Sequence, residues 1–453
     1  MPKINIEEKE LTTFAQFNAT ENSVLIPLFV TVAQKTAGRY TTLSEFKQDY
    51  PTGEPRLADE VDSEGVFRVT NIEGGVVSYW VEQKNISAIQ SEEVVYFDKS
   101  YLMICELLSL GLTVIVKPIF HADRFNSEAE VITTIQTALT TAYDEFTDKN
   151  LWNIKFITSG AYPNAIYTSI ENESSQLSYS VTGCYSSLRS IANSRQDCIS
   201  LLEFERVMPF DNEGDEGPSL KSAISLVGAG SSYEAAFYPW LICNTNSSAL
   251  ENQTVSSMPA CFGYLMAVAN NAITNSDWLA NSGTIRGRVP NLSSVLYNVG
   301  ESAMHYLQGD NIVSSGNAEI AVNPIMKVGT YGIRIWGNRT TAGTGTGDNY
   351  TNFLNVRILL CDIKKQLYHA SLRITFEPND DIAWINFKKL NNTLLDQMQS
   401  GRGIEWYRWN KLITEKKATL KALLTIKPIE ALEYFDITIN LSEEGSTSIE
   451  ESI

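Results

Sequence analysis

Apolar residues recur along this chain in two rhythms, short unbroken runs and steps of three and four. Their alternation predicts strands interleaved with helices. Val24 to Ala33 is apolar apart from Thr31 and is bounded by Asn22-Ser23 and by Lys35 to Gly38, which predicts a buried strand. Leu43, Phe46 and Tyr50 predict a short helix over Thr42 to Tyr50, with Ser44 near its cap. Lys99 to Ser109 reads as a helix through Leu102, Cys105 and Leu108, and Leu112 to Pro118 as a buried strand. The clearest helix pattern of the N-terminal half runs from Ser127 to Phe146. Ser127 and Glu130 make a capping box there, and Ile132, Ile135, Leu139, Tyr143 and Phe146 form one stripe. Strands are expected at Trp152 to Thr158, closed by Ser159-Gly160, and at Cys198 to Glu205, with a helix over Ser186 to Ser194. This spacing predicts an α/β layer with a largely parallel sheet.

Two regions break the rhythm. Between Pro51 and Phe97, Val66 to Val69 and Gly75 to Val81 alternate like strands about a Gly74-Gly75 turn, which predicts a small, outward-facing β insertion. Phe210 to Ser219 is a loop rich in Asp, Glu and Gly. The last quarter opens on a short strand pattern within Gly332 to Thr340, followed by a Gly/Thr-rich loop from Thr341 to Asp348. Phe353 to Ile363 then looks like a strand, Asp381 to Ser400 like a helix, and Thr419 to Ile426 and Tyr434 to Leu441 like two further strands. In the helix, Trp384, Phe387, Leu390, Leu394 and Met398 form the buried stripe, and Gly401 is placed to end it in a left-handed cap.

The chain's ends differ from its body. Residues 1–22 hold only Phe14 and Phe17 as anchors between polar and charged residues. They read either as a frayed terminus or as an arm that pairs, through Ile4 and Ile6, with another subunit's sheet. In the final strand Phe435, Ile437, Ile439 and Leu441 share one face, ahead of an acidic, Ser-rich tail from Ser442 to Ile453.

Composition narrows the function. The 453 residues, 43% apolar and 19% charged, suit a globular protein of several domains. A net charge of −18 argues against nucleic acid or an anionic membrane surface as the main partner. The longest apolar run is about half of what a bilayer span needs, and no signal-peptide pattern opens the chain. Six scattered cysteines without a C-x-x-C pair are expected to be reduced and buried. Catalytic chemistry is not apparent. His121, His305 and His369 lie far apart in sequence, Gly343 to Gly347 lacks the Gly-Lys-Ser/Thr of a phosphate loop, and no G-x-S-x-G elbow occurs. No catalytic, metal or cofactor residues are assigned. Asp380-Asp381 is placed to cap the helix that follows. Charge is distinctive only between Trp384 and Lys427, where nine basic against three acidic residues leave a net +6. Those lysines form either a solvated face or a patch complementary to an acidic partner.

Several segments, taken in order, resemble contractile tail sheath proteins of phages and related contractile particles. Thr42-Leu43-Ser44-Glu45-Phe46 matches that family's opening helix, and Ser231 to Trp240 its "s-x-y-a-A-x-y-y-P-W" segment. Met258 to Ala267 matches a helix entry in which Pro259 suits the first turn. Gly332-Ile333-Arg334-Ile335-Trp336-Gly337-Asn338-Arg339-Thr340 matches a G-x-x-x-W-G-x-R-T segment that precedes the C-terminal domain's elements. Around Asp277-Trp278 and Gly287 the family's prolines are missing.

The resemblance implies an α/β plus α+β protein. It would have a linking arm (1–22), an α/β core of subtilisin-like topology (23–50 and 97–330) and a β insertion (51–96). A tube-facing C-terminal domain (331–441), completed by strands from neighbouring subunits, and an acidic tail (442–453) would follow. It further implies a non-enzymatic subunit of a helical homo-oligomer of stacked hexameric rings, partnered by tube, baseplate and terminator proteins. Such a subunit belongs to a virion tail assembled in the host cytoplasm. Lys388, Lys389 and Arg402 are then the tube-contact candidates, and Ile4, Ile6, Phe435, Ile437 and Ile439 the inter-subunit strand candidates. An intracellular α/β hydrolase is the alternative, and a closed ring-forming oligomer a third reading. The hydrolase would need a titratable cluster in a cleft.

Overall fold

The structure is a computed structural model. It describes residues 18–30, 35–50, 56–57, 80–84, 94–120, 128–162, 164–171, 177–204, 210, 219–245, 254–272, 278–308, 320–342, 349–413, 418–432, 438–441 and 449–452. The strands of the first half are β1 (Ser23–Val30), β2 (Gly38–Tyr40), β3 (Arg56–Leu57), β4 (Trp80–Lys84), β5 (Val94–Asp98), β6 (Thr113–Phe120), β7 (Phe156–Ile157), β8 (Ala165–Glu171), β9 (Leu177–Gly183) and β10 (Ile199–Leu202). Those of the second half are β11 (Glu234–Tyr238), β12 (Leu241–Thr245), β13 (Thr254–Met258), β14 (Leu292–Val295), β15 (Val322–Lys327), β16 (Ile333–Ile335), β17 (Ile404–Leu412), β18 (Lys421–Pro428), β19 (Thr438–Leu441) and β20 (Ile449–Ser452). The helices are α1 (Leu43–Asp49), α2 (Lys99–Ser109), α3 (Glu128–Thr141), α4 (Tyr143–Thr147), α5 (Tyr185–Arg195), α6 (Leu220–Val227), α7 (Ala260–Ala272), α8 (Gly283–Arg286), α9 (Glu301–Gln308), α10 (Leu354–Ile374) and α11 (Asp381–Ser400).

One eight-stranded sheet, ordered β16-β15-β11-β10-β7-β1-β6-β2, organises the body. β1 pairs in parallel with β6 on one side and β7 on the other, and β10, β11 and β15 continue in parallel beyond β7. β2 and β16 close the two edges antiparallel. The order therefore reverses at β1, as in doubly wound sheets. Both faces are covered, which is why the strands read as unbroken apolar runs. Val24, Ile26, Val114 and Val116 pack with α2 and α7 on one face, and Leu25, Ile115 and Ile157 with α3, α4 and α5 on the other. Toward β15, Leu202, Ala236 and Val322 pack with α6 and α9.

Several sequence expectations shift locally. The short helix is capped by Thr42 rather than Ser44, with Glu45 completing a capping box. The helix pattern ending at Phe146 is interrupted at Ala142, between α3 and α4. Thr134, Thr137 and Thr140 each donate a hydroxyl bond to the carbonyl four residues back, which strains a helix whose Thr content already disfavours it. Ser127 lies outside the described residues. Of the strand expected over Trp152 to Thr158, only β7 forms. The hairpin β8–β9 has no counterpart in the sequence reading. Between Arg56 and Asp98, β3, β5 and β4 make a three-stranded antiparallel sheet. Val66 to Val69 and the Gly74-Gly75 turn lie outside the described residues.

The largest correction falls on Phe353 to Ile363, which is not a strand but the first half of the 21-residue helix α10. Its first two turns are buried almost all round, from Leu354 to Leu359, so no amphipathic stripe shows in the sequence. A short apolar run of this kind is the case in which periodicity cannot separate strand from buried helix. The absence of Gly or Pro from Leu354 to Glu377 was the better guide.

Candidate assembly surface

The C-terminal part is an αα-hairpin, α10 and α11, overlaid by the antiparallel pair β17–β18. α11 spans the expected Asp381 to Ser400, started by the Asp380 carboxylate accepting from Ala383 N–H at 2.9 Å. β17 runs back along α11: Tyr407 Oη donates to Asp396 at 2.6 Å, Trp409 Nε1 to Asn392 Oδ1 at 2.9 Å, and Lys411 Nζ to Asp381 at 2.7 Å. Between the two layers Trp409 meets Trp384 and Phe387 edge-on, with centroids 6.0 and 5.8 Å apart. The buried stripe is rotated slightly from expectation: Trp384, Phe387, Leu395 and Met398 are buried, whereas Leu390 and Leu394 are half-buried.

The helix end is also corrected. Gly401 has φ −86°, and the left-handed residue is Arg402 at φ 63°. Glycine is needed at 401 for space instead. A Cβ there would lie 2.4 Å from the Trp278 ring, and one at Gly403 2.6 Å from it. The ring cannot swing away freely, because its Nε1 donates to Gly401 O at 2.8 Å. Gly401→Ala is therefore expected to cost roughly 1–3 kcal/mol through overpacking, read as a lower thermal midpoint with altered tryptophan fluorescence. An unchanged midpoint would show that the ring yields.

Among the described residues the basic side chains after Trp384 are spread over α11 and the β17–β18 pair. Lys388 is half-buried, its Nζ 5.1 Å over the Trp384 ring, and Lys389 is exposed. Arg402 lies 13 residues further along, about 20 Å down the helix axis at 1.5 Å per residue, near Arg286 of α8. Lys411 and Lys427 are engaged with Asp381 and Glu405, at 2.7 and 2.5 Å. The outward face of the β17–β18 pair is mixed: Trp406 and Leu423 are 42% and 47% exposed, beside exposed Arg408, Lys421 and Lys427. Among the described residues neither outer edge of this pair bonds another strand. Ile439 lies in β19, which pairs with β20 inside the stretch read only as an acidic tail. Ile4, Ile6, Phe435 and Ile437 lie outside the described residues.

The α10 helix fixes this part to the sheet through a buried charge cluster. Lys155, just before β7, bonds Asp362 at 3.0 Å, and their side chains are 1% and 0% exposed. Arg195 holds Asp197 at 2.8 and 3.2 Å beside them. Lys365, one turn beyond Asp362, is buried with no hydrogen bond to its Nζ. Burial holds its pKa below the ordinary lysine value, against the pull of Asp362 and Asp197.

A doubly wound sheet would place a ligand beyond the carboxyl ends of its strands, at the reversal. There the described residues pack shut. Ala161 N–H donates to Ser100 Oγ at 2.8 Å, and a Cβ on Gly160 would lie 2.7 Å from that same oxygen. Thr158 meets Cys261 at 3.4 Å, and Glu203 accepts from the Cys261 N–H at the start of α7. Burial pushes the Glu203 carboxyl up to about 8, and the residue is only 3% exposed. All six cysteines are buried and free. No group of three or more His, Cys, Asp and Glu among the described residues could hold a metal. No helix there is long and apolar enough to cross a membrane.

No protein-family model matches the sequence, and no curated protein matches it. Solved structures do match, over nearly the whole chain. A chain of the anti-feeding prophage baseplate, 6-fold symmetrised, superposes with a TM-score of 0.56 at 14% identity, covering 98% of this chain and 99% of its own. The sheath complex of an extracellular contractile injection system, PVC, in the contracted state gives 0.56 at 12% identity, covering 98% of each chain. The anti-feeding prophage helical sheath in its contracted state gives 0.53 at 14%, covering 98% and 99%. At such identities the likeness is one of fold, and it extends from one end of the chain to the other.

Proposed function

We propose that this chain, which carries the fold of contractile injection system sheaths, is itself a sheath subunit. It polymerises helically, as stacked hexameric rings around an inner tube, and contracts to drive that tube through a cell envelope. The observation that supports this most is the whole-length match to sheath structures, since a borrowed domain would cover only part of the chain.

In this reading residues 23–50 and 97–330 form the sheath core, with the subtilisin-like connectivity that the resemblance implies, and residues 331–441 face the tube. A heterologous contact that does not close generates a helix rather than a ring. The outer edges of β17 and β18, unpaired among the described residues, suit strands donated by neighbouring subunits, because backbone pairing can tether domains that rotate as rigid bodies. Since β19 pairs with β20 in its own chain, the C-terminal strand is donated either as that two-stranded unit or after β20 is displaced. The extended lattice is held kinetically above the contracted one. No catalysis, nucleic acid or membrane partner enters the cycle. Baseplate, tube and terminator proteins complete the particle, a phage tail or a phage-derived one, assembled in the host cytoplasm.

Negative-stain electron microscopy of the purified chain at high concentration tests the proposal. Wide-bore helical tubes are expected, and small particles only, even after the tube protein is supplied, would refute it. The double reversal Lys388→Glu, Lys389→Glu is expected to slow tube-templated assembly several-fold while leaving the fold intact. Unchanged templating, measured by light scattering, would mark both lysines as a solvated face.

A further inference from the structure

A groove of about 820 Å³ runs between Asn18–Thr20, the second half of α10 and the exposed side of α11. Ala19, Ile374, Leu390 and Leu394 make its apolar floor, and Arg373 and Lys389 supply its charge. Ile374 and Leu390, and Leu394 beside them, are continuous with the core under β17–β18. The groove begins where the chain enters the fold. Asn18, on its wall, is fixed by Asn153 Nδ2 donating to its carbonyl at 3.0 Å. Glu21 then anchors the chain to Thr113 at 2.7 Å and to Asn153 at 3.0 Å.

We propose that in the unassembled subunit this groove is occupied by residues 11–17 of its own chain. Phe17 is bonded to a residue of the groove wall, and Phe14 lies within about 14 Å of Asn18 even when fully extended. Two phenylalanines and Leu11 match the apolar floor, in a segment that otherwise has little to bury. Glu7, Glu8 and Glu10, with only Lys9 among them, carry the charge opposite to Arg373 and Lys389. Docking removes Lys389 from solvent and withholds the segment from other copies. The consequence for assembly rests on the sheath reading: the arm leaves the groove before it can link a neighbour, and its departure uncovers Lys389. The docking itself does not depend on that reading.

The full-length chain, kept dilute and monomeric, tests it through the pair Phe14→Cys and Leu394→Cys. The native cysteines are all buried and compete poorly for oxidation. An intramolecular disulfide is expected, identified as a linked peptide by mass spectrometry. The pair Phe14→Cys and Leu423→Cys, on the outward hairpin face, is expected to stay open. No link, a link only between two chains, or equal linking at both sites would overturn the proposal. A second readout needs no cysteine. Acylation of Lys389 is expected to be several-fold faster in a chain lacking residues 1–17 than in the full chain, and equal rates overturn it. Tube formation is scored separately by microscopy, so a linked arm in a chain that never polymerises would retain the docking and refute the sheath reading.

Discussion

Asp362→Asn is expected to destabilise the protein by roughly 3–5 kcal/mol, the cost of removing one member of a buried ion pair. The substitution keeps the shape of the side chain and removes its charge. Lys155 then sits 1% exposed without its carboxylate, and Lys365 loses the stronger of the two carboxylates that favour its charge. The cluster holds three cations, Lys155, Arg195 and Lys365, against two carboxylates, Asp197 and Asp362, so Lys365 is the unbalanced member. Lys365→Met is therefore expected to be neutral or stabilising at pH 7.

The sign of the pH dependence follows from the same geometry. Burial lowers the pKa of Lys365 in the folded chain below its ordinary value of about 10.4. Between the folded and unfolded values the unfolded chain binds a proton that the folded chain does not, so stability rises with pH across that window. Below the folded value the full cost of burying the charge is present. The six buried thiols, whose pKa values burial raises, pull stability down with rising pH in both chains, so the lysine is isolated by the difference between them. The advantage of Lys365→Met in denaturant midpoint should shrink from neutral pH to about 10, and an advantage that stays constant or grows would mean that another group is responsible.

The parts of the fold legible in the sequence are those where one local signal dominates. β1 was marked by an apolar run buried on both faces, and α11 by an apolar stripe and a capping Asp380. Where burial is complete the periodicity vanishes, so the first half of α10 read as a strand. β17 was missed because Trp406 and Arg408 on one face and Tyr407 and Trp409 on the other leave no apolar–polar alternation. The charge cluster could not be read at all. Lys155 and Asp362 stand 207 positions apart, and nothing in the flanking residues distinguishes them from surface charges. Likewise the excess of lysine after Trp384 was visible, but its dispersal was not. Helix rotation sends Lys388 over Trp384 and Lys389 into the groove, and the chain's return along α11 engages Lys411 and Lys427 in ion pairs.

Removing residues 1–20, or ending the chain before Tyr434, is expected to abolish tube formation while leaving a folded monomer. The fold should survive because neither cut reaches the hydrophobic clusters, although the first removes the buried Ala19. The first removes Asn18 and Thr20, whose carbonyls accept from Asn153 at 3.0 Å and Lys155 at 3.4 Å, contacts worth about 1 kcal/mol each. The second removes β19 and β20, which pair only with each other among the described residues. Assembly should fail because each subunit would lose one of the strands proposed to link it to its neighbours, and a helical lattice multiplies that loss at every site. Circular dichroism melts separate the two effects: near-native midpoints with no tubes in the micrographs are the expected pair. The two cuts also differ in consequence. The N-terminal deletion empties the groove beside Lys389, so these monomers should still engage the tube protein without propagating along it. The C-terminal cut keeps the arm and should respond less to the tube. Normal tubes from both shortened chains would place the lattice contacts on the α/β body instead, and the unpaired edges of β17 and β18 would then need another occupant.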